Sequence, residues 1–197
     1  MPYAPKSYGR LVGLPGFSDK LLADHFTLYH GYVTGTNSLI AALASMAANG
    51  MAGTLEHSEL TRRFAREFNG MRMHELYFEN LAKDPKTFDR SSTVGKKIEE
   101  SFGTYEKWEK DFKAVDAQRG IGWAVLYADP EAGRLYNCWI NEHDAGHLAG
   151  ASPLVVVDVF EHTYLLDYGL HRAPYLQACL RALDWEKVDT RCGVAMR

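Results

Sequence analysis

The sequence has little cysteine: Cys138, Cys179 and Cys192 are an odd number, widely spaced, and none falls in a CxxC pair. That spacing excludes a zinc ribbon, a thiol redox motif and a disulfide framework, so reduced thiols are expected. Long apolar runs are missing too. Nowhere do about 18 uncharged apolar residues follow one another, so no membrane partner is expected. The opening MPYAPKSYGRLVGLPGF lacks a long apolar stretch behind a basic start, which makes the cytoplasm the expected location. Basic charge is sparse as well. The net charge is -3 and basic runs are doublets such as Lys96-Lys97, which excludes the positive field that nucleic-acid binding needs. Internal repeats and low-complexity tracts are absent, which excludes a solenoid.

What remains is a chain of 197 residues, 46% hydrophobic and 24% charged, enough to bury a real core. After Pro15-Gly16, Ser18 suits an N-cap, and Leu21, Leu22, Leu28, Ile40 and Leu43 recur at helical spacing up to Gly50. A second helix is expected from about Ser58, through Leu60, Phe64, Phe68, Met71, Leu76 and Leu81, until Pro85 ends it. Two long consecutive amphipathic helices predict an antiparallel hairpin. Shorter helices follow at about 92–102 and 104–117. GWAVLYAD and RLYNCWIN then read as a β-hairpin, PLVVVDVF as a third strand, and helical pattern resumes from Pro174. The fold class is therefore α+β: a helical-hairpin domain over 1–88 and an α/β domain over 89–197 with a small antiparallel sheet of about three strands.

Of eight histidines, three have a context that suggests chemistry. His25 and His74 lie among apolar neighbours on the two helices expected to pack together, as a metal shared between helices requires. In Asp158-Val-Phe-Glu-His162 an aspartate ends a buried strand, where an uncompensated carboxylate costs several kcal/mol, and a histidine follows four residues on. Three neutral imidazoles with one carboxylate carry net charge -1 and suit iron or manganese better than zinc, magnesium or calcium.

MHELYFENL around His74, DVFEHTYLLDY around Asp158 and His162, GWAVL around Trp123 and the tail RAPYLQACLRALDWEKV together resemble the iron/manganese superoxide dismutases, from about residue 11 to 190. The resemblance implies His25, His74, Asp158 and His162 as ligands of one iron or manganese ion per chain. It further implies superoxide as the small-molecule substrate, disproportionated to oxygen and hydrogen peroxide, and a homodimer or tetramer. Trp123, Phe78 and Phe160 match an aromatic wall around the ion. Glu161 matches a glutamate that reaches across a dimer to the partner's last ligand histidine, and Arg172 matches an arginine at the channel mouth that could steer an anion.

This chain departs from the family pattern at several positions. Commoner members carry a second histidine four residues after the first ligand and a gateway tyrosine eight after it; here the order is His25, Tyr29, Tyr32. At about 100° per residue a seven-residue step returns nearly to the starting face, so Tyr32 is the expected gateway on a helix without a bulge. Tyr29, with Leu165 in place of the usual partner-subunit tyrosine, predicts a repacked channel mouth. Gly70 stands where iron enzymes typically carry glutamine, and counting back from Asp158 puts His143 in the hairpin position that tunes the ion's bound solvent, with His147 as competitor. His30, His57 and His171 are expected at the surface. Two other readings are open at this point. A non-catalytic protein that kept the fold would be marked by loss of a ligand, and none is lost. A mononuclear iron oxygenase commonly has only three protein ligands.

Overall fold

The computed structural model describes residues 1–197. Its first helix, α1 (Asp19–Ala48), is capped by Ser18, whose hydroxyl accepts from Leu21 N–H at 3.1 Å. The second, α2 (Leu55–Asn80), starts three residues before the expected Ser58, because Thr54 supplies the cap by accepting from His57 N–H. It also stops short of Pro85. Leu81 leaves helical geometry to form a β-bridge with Leu183, and Ala82 N–H donates to Ala182 O. Next come α3 (Thr93–Phe102) and α4 (Tyr105–Asp116), capped by Ser92 and Thr104.

Three antiparallel strands follow, β1 (Gly122–Asp129), β2 (Arg134–Asn141) and β3 (Ser152–Asp158), in the order β2-β1-β3. Central β1 is buried along nearly its whole length, which is why GWAVLYAD is a continuous apolar run, whereas edge strand β2 exposes several positions. The register sets Trp123 opposite both Ile140 and Asp158. The chain closes with α5 (Leu165–Tyr168), α6 (Arg172–Ala182) and α7 (Trp185–Ala195). Helix α6 begins two residues ahead of Pro174, which sits in the first turn where its missing N–H would be unpaired anyway.

One cluster of buried side chains runs from Tyr8 to Cys192, across residue 88. Part of the seam is polar. Asn80, at the end of α2 and 1% exposed, donates to Leu154 O at 3.1 Å and accepts from Val156 N–H at 3.0 Å, so one side chain satisfies the outer edge of β3. Replacing Asn80 by alanine leaves the Val156 N–H buried without a partner. We expect a loss of about 1–3 kcal/mol in unfolding free energy, checked by urea denaturation; an unchanged midpoint would show that the edge finds another partner.

Candidate metal centre

His25 lies in the second turn of α1 and His74 near the end of α2; Asp158 ends β3, and His162 sits in a short 3-10 turn four residues later. These four side chains converge. Oδ2 of Asp158 lies 3.3 Å from Nε2 of His25, 3.5 Å from that of His74 and 3.4 Å from that of His162. One ligand atom from each of the four lies within 4.8 Å of every other. His25, His74 and Asp158 are buried, and the His162 side chain is 31% exposed.

The converging atoms lack hydrogen-bond partners: Nε2 of all three histidines and Oδ2 of Asp158 are buried and unsatisfied. The other atoms of two of these groups are provided for. Asp158 Oδ1 accepts from Phe160 N–H at 2.9 Å. His74 Nδ1 faces Gly70 O at 2.6 Å, and a carbonyl only accepts, so Nδ1 carries the hydrogen and Nε2 is left as a lone-pair donor. At metal–ligand lengths of about 2.1 Å, neighbouring ligands around a first-row ion stand roughly 3.0–3.6 Å apart, and the three separations fall within that span. The residues present therefore fit a single divalent or trivalent ion.

Electrostatics point the same way. Burial lowers the pKa of His25, against the opposing pull of Asp158, and puts that of His74 well below its usual value. Burial alone would raise Asp158, but the facing imidazoles, His162 foremost, hold its carboxyl far below the usual carboxylate range. Neutral imidazoles around an ionised carboxylate are the state that binds a cation.

Aromatic rings enclose the group. Phe78 stands 4.8 Å from the His25 ring, Trp123 5.0 Å from His74 and Phe160 5.5 Å from His162. Tyr77, at 5.3 Å from His25, and Tyr175 were not singled out from the sequence. Tyr175 donates to Asp158 O at 2.7 Å. Tyr77 sits three residues after His74, a helical spacing that could have flagged it.

Helix α1 is uninterrupted, so the seven-residue step puts Tyr32 on the same side as His25. The Tyr32 ring stacks on His74, with centroids 5.2 Å apart, and its hydroxyl lies 2.7 Å from His143 Nε2. Gly70 makes this possible, since a Cβ there would lie 2.5 Å from Tyr32 Cδ1. His143 is fully buried and takes a hydrogen bond at Nδ1 from the Trp123 indole at 3.1 Å. His147 instead meets the Tyr127 hydroxyl and the His143 carbonyl.

Two side chains are held by partners that the sequence does not show. Tyr29 is wholly buried, and its hydroxyl accepts from Lys6 N–H and donates to Glu75. The N-terminal arm thus reaches the buried face of α1 through Lys6. Arg172 is not a free cation: its guanidinium donates to Gln118 O and Gly120 O and lies 3.7 Å from buried Asp116. Glu161 is exposed beside His162, as is Leu165; His30 and His171 are exposed and His57 is half-buried.

The family model for iron/manganese superoxide dismutases, C-terminal domain, matches residues 90–191. A protein named superoxide dismutase [Fe] from Cupriavidus metallidurans is 35% identical over 188 residues, covering 93% of this chain and 92% of its own length. Superoxide dismutase [Mn] from Haloarcula marismortui is also 35% identical, over 95% of this chain and 90% of its own. Superoxide dismutase [Fe] from Aquifex aeolicus is 33% identical over 98% and 92%.

The lowered imidazoles give the metal-free protein a pH signature. A histidine held neutral in the fold but free to protonate near its usual value of about 6.5 when unfolded makes the unfolded state the better proton binder in acid. Asp158 adds to this below the ordinary carboxylate range, because its folded form resists protonation. Stability of the metal-free protein should therefore fall as pH drops below about 6.5. Replacing His74 with glutamine should flatten that slope in urea titrations at several pH values; an identical slope in the variant would contradict the assignment.

Proposed function

Because this chain belongs to the iron/manganese superoxide dismutase family, we propose that it disproportionates superoxide to oxygen and hydrogen peroxide, with His25, His74, Asp158 and His162 holding one iron or manganese ion. The observation that carries the assignment of ligands is the convergence of four unsatisfied buried atoms on one point. When bound there, the ion supplies the one-electron chemistry of both half-reactions. The four residues divide between the segments 1–88 and 89–197, which we read as two domains that close on the ion.

The chain's own contribution beyond the ligands is protons, two of which are consumed for each pair of superoxide ions. The Trp123 indole can only donate, so Nδ1 of His143 carries no hydrogen. Burial lowers the His143 pKa to about 4, which keeps the ring neutral with its hydrogen on Nε2. That N–H donates to the Tyr32 oxygen, and the hydroxyl hydrogen of Tyr32 is then free to point at the site. Burial also raises the Tyr32 pKa to about 12, so the phenol stays protonated and can serve as the proton donor. Tyr32 is half-buried beside wholly buried His74 and His143, a position that suits a gateway for a small anion.

Exposed Glu161 next to His162, whose ring makes no hydrogen bond within its own chain, supports a homodimer in which Glu161 orients the partner's last ligand. No helix is long and apolar enough to cross a membrane, and with three free thiols we place the protein in the cytoplasm.

Replacement of His162 by alanine should abolish metal retention and superoxide consumption while leaving the helical content intact. Glu161→Ala, which keeps all four ligands, should weaken both dimerisation in sedimentation and metal retention by about 10-fold. A metal-loaded, folded wild-type protein that does not consume superoxide would refute the activity and leave the fold standing.

A further inference from the structure

His143 belongs to the loop between β2 and β3, a kind of segment that tends to be mobile, yet its ring is fully buried with both nitrogens engaged. Something must hold the loop. Glu142, immediately before it, is the only non-glycine residue of the chain with positive φ, at 51°. A left-handed residue of this kind is disfavoured by contact of its Cβ with the following carbonyl and persists only when its surroundings fix it. Here they do so twice at Glu142 itself: its N–H donates to Ile121 O at 3.1 Å, and its carboxylate pairs with Arg66 of α2.

A second hold acts just downstream. His147 Nε2 lies 2.8 Å from the His143 carbonyl oxygen, which only accepts, so the hydrogen of His147 sits on Nε2. Its Nδ1 is then an acceptor for the hydroxyl of Tyr127 at 2.9 Å. Tyr127 is 2% exposed on central β1. The His143 backbone is thereby tied to the most buried strand of the sheet.

We propose that His147 and Arg66 are positioning residues that hold His143 against Tyr32. Arg66 precedes Gly70 by one helical turn, so α2 carries both the floor on which Tyr32 rests and the clamp that turns His143 toward it. Neither Arg66 nor His147 hydrogen-bonds or ion-pairs with any of the four metal-binding residues. His147 therefore acts on the site through His143, while the charge of Arg66 also reaches Tyr32 directly. The proposal rests on the reading that His143 works as the partner of Tyr32.

The test uses the metal-loaded enzyme and a double-mutant cycle. His147→Ala should slow superoxide turnover about 10-fold, the size of effect typical for groups that orient a metal site, with metal content unchanged. In a His143→Ala background the same change should have no further effect, whereas a general loss of structure would slow both backgrounds alike. Glutamine at 147 can donate to the His143 carbonyl and accept from Tyr127, so His147→Gln should recover most of the turnover. A crystal structure of His147→Ala should show the Tyr32 Oη to His143 Nε2 separation opened beyond about 3.5 Å. Should His147→Ala fail to fold, Arg66→Ala, at a side chain 39% exposed, is read through the same cycle, in which a direct charge effect on Tyr32 would persist in the His143→Ala background and a positioning effect would not. Full turnover in His143→Ala would sink the reading of His143 and this proposal with it. Slow His143→Ala beside full-speed His147→Ala and Arg66→Ala would overturn the positioning role alone.

Discussion

The carboxylate of Asp158 is the constraint around which the rest is arranged. It is wholly buried, one oxygen is satisfied by Phe160 N–H, and the other faces three imidazole nitrogens that have no other partner. A buried carboxylate costs several kcal/mol unless positive charge or hydrogen bonds compensate it. A metal cation at the centre satisfies all four groups at once.

Satisfying Asp158 dictates much of the architecture. The carboxylate needs a rigid base, and β3 supplies one by pairing with buried β1, where Trp123 lies directly opposite. The outer edge of β3 is met by Asn80 and Arg191 rather than by another strand. His25 and His74 need helices that stay packed, and one core cluster from Tyr8 to Cys192 fixes both against the sheet. The aromatic rings around the ligands keep the interior apolar, which strengthens each electrostatic interaction inside it.

Much of this was legible because it followed from periodicity. The helix repeat brought His25 and Tyr32 to one face, and the apolar strand ending in aspartate announced a charge in need of a partner. Caps were less certain to read: Thr54, not Ser58, starts α2, because both can cap and only the turn geometry decides. Tyr29 shows a sharper limit. A departure from the family pattern marks the position as changed, but not that the N-terminal arm brings Lys6 to meet its hydroxyl. Arg172 is similar, since its carbonyl partners at Gln118 and Gly120 lie more than fifty residues away in the chain. Gly70 could be noted only as a missing glutamine; that its lack of a side chain admits the Tyr32 ring is a fact of packing.

The central claim is that the unsatisfied atoms of His25, His74, Asp158 and His162 are the ligands of one redox-active ion. Anomalous diffraction from crystals of the protein as purified, collected at the iron and manganese absorption edges, tests it most directly. The account predicts a single peak per chain at one of those edges, at about 2.1 Å from Nε2 of each histidine and from Asp158 Oδ2. A fully folded protein with no peak among the four side chains, or with its metal bound elsewhere, would contradict it.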